Sequence, residues 1–228
     1  MAREKQPDTA RIRVVVPIGG QSLHGDLSLP ANPRGIVLFA HGSGSSRHSP
    51  RNQFVARTLE RRKLATLLID LLTTEEEIID EQTAEYRFDI PMLAGRLLLI
   101  VDWLRQRLDT SPLPIGLFGA STGGGAALIA AANCPREIAA VVSRGGRPDL
   151  AGEALPMVKT PTLLIVGGFD GLVIEMNRDA MRQMTGEVTL EIVPGATHLF
   201  EERGALERVA ELAGAWFERY LQPVAAAA

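Results

Sequence analysis

Apolar residues along the chain follow two alternating patterns. Short unbroken runs occupy residues 35–40 (GIVLFA), 64–70 (LATLLID), 115–118 (IGLF), 139–143 (AAVVS) and 162–166 (TLLIV). Runs of this length, rich in Val, Ile and Leu, predict strands covered on both faces. Two further β-rich runs, 11–17 and 22–29, flank Gly19 and Gly20 and predict a hairpin-like start to the sheet. A last apolar run covers 188–193.

Between these runs the period changes. Leu93, Leu97, Val101, Leu104 and Leu108 recur close to every 3.6 residues, with Pro91 near the start, where its missing N–H costs little. Leu206, Val209, Ala213, Trp216 and Tyr220 repeat the pattern, leaving Glu207, Arg208, Glu211 and Glu218 for solvent. Strands alternating with helices predict an α/β fold with a mostly parallel, doubly wound sheet and helices on both faces. A chain of 228 residues suits one such domain, expected over 11–222, with flexible tails at 1–10 and 223–228.

Charge and cysteine content narrow the functional classes. The formal net charge is -3 and no long basic block occurs, which argues against nucleic acid or an anionic membrane as partner and favours a small-molecule substrate. Cys134 is the single cysteine, so no intrachain disulfide can form and apolar burial must hold the fold. The first nine residues are charged, and no apolar run reaches the length of a membrane span. The expectation is a soluble cytoplasmic protein, monomeric or a homodimer. Glu75 to Glu77 read as a solvated loop or helix start.

The strongest chemical signal is Gly119-Ala120-Ser121-Thr122-Gly123, which follows an apolar strand and precedes a helix-forming stretch. In this context Gly-x-Ser-x-Gly forms a sharp strand-to-helix turn that exposes the serine at the carboxyl edge of the sheet. The turn also aims the first helical N–H groups at whatever the serine attacks. A serine hydroxyl needs a base to take its proton, and the base needs an acid to fix its tautomer. His198 is the one histidine after Ser121, and Asp170 follows the run 162–166 within Gly167-Gly168-Phe169-Asp170-Gly171. The order Ser121, Asp170, His198, each just past a strand, is the order of α/β-hydrolase triads. Each residue taken alone also has a plainer reading: a serine helix cap, a turn aspartate before Gly171, a histidine capping the final helix.

An oxyanion needs two donors. The Thr122 backbone N–H is one candidate, and the Ser43 backbone N–H in the glycine-rich loop after residue 40 is the other, with His41 expected to buttress that loop. Arg47 and Arg144 fall near strand ends and are candidates for holding a substrate carboxylate or phosphate, with ion pairing to nearby acids as the plainer alternative. His48, Arg51 and Asn52 read as hydrogen-bonding loop residues near a helix start, and His24 as structural. The histidines show no metal-ligand spacing, so neither a metal nor a cofactor is expected.

These motifs carry a resemblance. Residues 41–52 (HGSGSSRHSPRN), Gly119 to Gly123, Asp170 and His198 resemble the dienelactone-hydrolase-like branch of the α/β-hydrolase superfamily over nearly the whole chain. Residues 143–149 (SRGGRPD) are similar to a stretch in small bacterial hydrolases that are sometimes fused to phosphoribosyltransferases. The eponymous enzymes use a cysteine nucleophile, whereas the elbow position here is Ser121 and Cys134 lies outside it. The resemblance implies a serine hydrolase of small carboxylic esters working through an acyl-enzyme. The short, proline-containing stretch 143–160 implies little or no lid. Acyl transfer, thioester or amide cleavage by the same triad, or a non-catalytic module binding an anion or small ligand, are the competing readings.

Overall fold

In the computed structural model, which describes residues 9–222, eight strands form one sheet in the order β1-β2-β4-β3-β5-β6-β7-β8. The strands are β1 (Thr9–Ile18), β2 (Gln21–Pro30), β3 (Ile36–Ala40), β4 (Ala65–Ile69), β5 (Ile115–Ala120), β6 (Ile138–Arg144), β7 (Thr162–Gly167) and β8 (Val188–Val193). The hairpin pair β1/β2 and the pair β2/β4 are antiparallel, and all other neighbours are parallel. Helices α1 (Pro50–Arg61), α2 (Thr74–Thr83), α3 (Ile90–Gln106), α4 (Thr122–Asn133), α5 (Gly171–Gln183) and α6 (Ala205–Tyr220) connect them. A 3-10 segment, Pro148–Met157, packs against α4 and α5.

The unbroken apolar runs become strands because both faces of the sheet are covered. Along β3, Ile36, Leu38 and Ala40 join one core with α3 and α4, while Val37 and Phe39 join the other with α1 and α6. That alternation is the two-residue period of a pleated strand. Each fully buried Leu or Phe contributes about 1.5–3 kcal/mol relative to exposure, so the two cores fix which residues face which layer.

Three expectations need correction. Strand β1 starts at Thr9, so Thr9 and Ala10 belong to the sheet and not to a tail; residues 1–8 and 223–228 lie outside the described residues. Leu108 is not on the helix face predicted for it. Helix α3 ends at Gln106, Arg107 is extended at the cap, and Leu108 is 98% exposed. Glu76 is not a solvated member of the acidic run: it is buried, closes a capping box with Thr73 at the start of α2 and pairs with Arg96. Pro91 does occupy the first turn of α3, where Asp89 caps the helix by accepting from the Met92 N–H.

The strand order reverses direction at β3. The chain runs outward from β3 to β4 and then returns to β5 on the other side, which opens a crevice at the carboxyl ends of β3 and β5. Ala40 pairs with Gly119 across this crevice, so the loops following the two strands meet there.

Candidate active site

Ser121 occupies the turn between β5 and α4 with φ 50° and ψ -120°. A residue with a side chain rarely adopts positive φ, and strain of this kind persists only where the surroundings enforce it. Here the enforcement comes from close packing of the two arms. A Cβ on Gly119 would lie 2.5 Å from the Gly123 carbonyl oxygen, and one on Gly123 would lie 2.3 Å from the carbonyl oxygen of Ala40. Ser121 starts α4 without capping it through its side chain, so its hydroxyl is available to the cavity above the sheet edge.

Asp170 follows β7 and starts α5, again without a side-chain cap. Its carboxylate turns instead to His198, whose Nδ1 lies 2.6 Å from Asp170 Oδ2. The two loops are laced together by backbone bonds. The Gly168 N–H donates to Val193 O and the Phe169 N–H to Ala196 O, each at 2.9 Å. Helix α6 starts at Ala205 after Gly204, so His198 does not cap it. Ser121 and His198 line one cavity of about 260 Å³, together with Gly42, Ser43, Arg51, Asn52, Arg144 and Leu199. Among the described residues no hydrogen bond joins Ser121 to His198.

The loop after β3 is pinned from two sides. His41 is buried; its Nδ1 lies 3.0 Å from Gly42 O, and its Nε2 accepts the Leu71 N–H at 3.0 Å. Burial pushes the His41 pKa below the usual histidine range, more than the Gly42 carbonyl and Asp70 raise it. With Nε2 accepting an N–H and Nδ1 facing a carbonyl, the bonds fit the neutral tautomer, and the ring joins the β3 loop to the β4 loop. The Ser43 N–H is engaged: it donates to Thr122 Oγ1 at 2.9 Å, so this candidate oxyanion donor already has an acceptor.

Arg47 does not reach the Ser121 cavity. Its guanidinium pairs with Asp70 and lies 3.6 Å from Asp26, while its backbone N–H donates to Asp70 Oδ1 at 2.7 Å. The nearby acids satisfy it, and it lines a separate cavity of about 620 Å³ on the other side of the 42–46 loop, which contains neither Ser121 nor His198. Arg144, the last residue of β6, does line the Ser121 cavity. Arg51 and Asn52 line it too, although the sequence marked them as hydrogen-bonding loop residues near a helix start and not as part of the site. The available signal was their place in the first turn of α1, directly after the β3 loop, where side chains can turn back over the sheet edge.

This fold and this edge of the sheet define an α/β hydrolase, and the comparisons agree. The sequence profile of the alpha/beta hydrolase domain matches residues 33–213, and the chain belongs to that family. It is dienelactone-hydrolase-like: it is 59% identical to a dienelactone hydrolase from Anabaena variabilis, with a TM-score of 0.92, covering 94% of this chain and 99% of that one. It is also 55% identical over 208 residues to two Mycobacterium tuberculosis proteins provisionally named as phosphoribosyl transferases, covering 91% of this chain but 46% of theirs. The chain thus spans about half the length of these relatives. A lidless α/β serine hydrolase from Xanthomonas campestris, 20% identical, shares the fold at a TM-score of 0.73 over 92% of this chain and 95% of that one. Among the described residues no helix is long and apolar enough to cross a membrane.

Proposed function

We propose that the chain is a serine hydrolase that cleaves small carboxylic esters through an acyl-enzyme. The observation that supports this most is the 2.6 Å contact of His198 Nδ1 with Asp170 Oδ2 beside a serine held at positive φ in the same cavity. With Nδ1–H donated to Asp170, the free Nε2 of His198 is the basic nitrogen. It takes the Ser121 proton as Oγ attacks the ester carbonyl, then passes that proton to the leaving alcohol as the tetrahedral intermediate collapses. Water repeats the cycle on the acyl-enzyme, giving the acid and restoring Ser121.

The N–H groups of Thr122 and Ser43 are the donors for the oxyanion. The Ser43 N–H must then be shared with, or released by, Thr122 Oγ1 as charge develops. The short 3-10 segment Pro148–Met157, packed on α4 and α5, supports the reading of a lightly capped site for small or unhindered esters. Phosphoribosyl transfer, the activity in the name of the longer mycobacterial relatives, we assign to the part of their length that this chain does not span.

The test is labelling by a fluorescent fluorophosphonate together with turnover of a short-chain aryl ester, in the wild-type protein and in Ser121→Ala. Labelling and turnover lost together in the variant is the expected result. A folded wild-type protein that neither labels nor turns over ester refutes the reading and favours a non-catalytic binding module.

A further inference from the structure

The cavity that holds Ser121 and His198 has one wall that the serine mechanism leaves unused. Arg144 in that wall is 6% exposed, its Nε has no hydrogen-bond partner among the described residues, and the one charged neighbour that perturbs it is a second cation, Arg51. Burial, followed by the repulsion of Arg51, brings its pKa down to about 10, so the guanidinium is still charged at neutral pH. The Phe200 ring centroid lies 5.8 Å from the Arg144 Cζ.

The contrast with Arg96 is informative. Arg96 is equally buried, but it donates to the Leu71 carbonyl and pairs with Glu76. A cation stripped of water without a counter-charge is costly, and a buried polar group without a partner calls for one. Arg51 reaches Glu201 with Nη1 at 3.2 Å, yet its Nε is buried and without a hydrogen-bond partner among the described residues. Asn52 is 2% exposed, its Oδ1 has no partner among the described residues, and its amide adds a further polar group to the same wall.

We propose that Arg144, supported by Arg51 and Asn52, is a subsite for a compact oxyanion group, carboxylate or phosphate, carried by the substrate of Ser121. The preferred esters are then small and acidic. The inference rests on the serine-hydrolase reading and adds the substrate class to it. Arg144 and Ser121 are backbone neighbours: β5 and β6 pair Ala120 with Arg144, and the Ser121 N–H donates to the Arg144 carbonyl at 3.2 Å. Both side chains line the same cavity, so an anion held by Arg144 shares that cavity with the ester that Ser121 attacks. A cavity of about 260 Å³, at roughly 30 Å³ per small heavy-atom group, holds about nine such groups.

Monomethyl succinate matches that size, and methyl 4-methylpentanoate is its neutral counterpart, with an isopropyl group where the carboxylate stands. Methyl 3-phosphonopropanoate separates a phosphate-type preference from a carboxylate one. Hydrogen bonds to a charged group predict a kcat/KM for one of the acidic esters about 10- to 100-fold above the neutral one. Free succinate or inorganic phosphate should inhibit competitively and raise Tm. Arg144→Met should bring the ratio of acidic to neutral ester close to one and abolish the Tm shift. Arg51→Gln, at a more exposed position, should lower the ratio and covers the case in which Arg144→Met does not fold. A wild-type ratio near one without anion inhibition overturns the subsite, as does a preference that survives Arg144→Met. Fluorophosphonate labelling of Ser121 in parallel distinguishes that outcome from failure of the serine mechanism, because the anion-induced Tm shift does not depend on Ser121.

Discussion

The Ser43 N–H donates to Thr122 Oγ1 at 2.9 Å, which ties the loop after β3 to the first residue of α4 across the crevice where β3 and β5 end. Thr122 is 4% exposed but Ser43 is exposed, so removing the hydroxyl leaves a donor that water can reach and costs about 0.5–1.5 kcal/mol. Thr122→Val should therefore lower Tm and let the Ser43 loop drift from the elbow, reducing ester turnover at least tenfold. Thr122→Ser keeps the acceptor and should stay close to wild type. Turnover in Thr122→Val at or above the wild-type level would mean that the hydroxyl merely competes with the oxyanion for the Ser43 N–H.

The spacing between acid and base depends on a glycine. A Cβ on Gly167 would lie 2.4 Å from the Ala196 carbonyl oxygen and 2.5 Å from that of Thr197, both backbone atoms of the loop that presents His198. Gly167→Ala must push this loop off the end of β7 and stretch the His198–Asp170 contact. A displacement of about 1 Å at a catalytic group can cost on the order of a hundredfold in rate. We expect kcat/KM to fall by that order, with the larger loss in kcat, while fluorophosphonate labelling slows but persists. Unchanged kinetics would show that the loop tolerates the shift.

How much of this was legible in the sequence follows from the range of the interactions involved. The buried strands and the elbow were legible because their causes are local: an unbroken apolar run such as residues 36–40, or glycines two positions either side of Ser121, needs no knowledge of distant residues. The chain order of Ser121, Asp170 and His198 pointed to one edge of one sheet because parallel strands place all their following loops there. The partners of Arg47 and Ser43 were not legible. Asp70 lies 23 residues from Arg47 and Thr122 lies 79 from Ser43, and only the strand order brings them together. Leu108 was misplaced for the opposite reason: its spacing fits the α3 stripe, but extended backbone at Arg107 stops the helix first.

His41 gives the fold a dependence on pH. Its folded-state pKa is depressed, so below the ordinary histidine value of about 6.5 the unfolded chain takes up a proton that the folded chain refuses. The stability present above that value is lost as pH falls toward the depressed folded-state value. Protonation would also abolish the acceptor at Nε2 that holds the Leu71 N–H. Tm measured from pH 8 to pH 5 should fall more steeply in the wild-type protein than in His41→Gln, whose amide oxygen can accept the same N–H without titrating. Parallel slopes would remove His41 from the account of acid lability.

Arg47 and Asp70 act as a structural pair, and this separates Arg47 from Arg144. Asp70 is buried, and it receives both the Arg47 backbone N–H and the Arg47 guanidinium. Replacing the guanidinium leaves a largely buried carboxylate with only part of its compensation. Arg47→Met should therefore lower stability by about 1–3 kcal/mol, less than for a fully buried pair because Arg47 keeps partial contact with water. Arg47 lines the larger cavity and a surface recess by β1 and β2 and is not among the residues lining the Ser121 cavity, so the charges that line that cavity do not change. The ratio of acidic to neutral ester turnover should accordingly equal the wild-type ratio in Arg47→Met, at a temperature where the variant is folded. Denaturant unfolding checks the first expectation and the paired methyl esters check the second. If Arg47→Met keeps its stability but loses the preference for acidic esters, Arg47 is the anion-binding arginine and the assignment of its pairing with Asp70 to the fold is wrong.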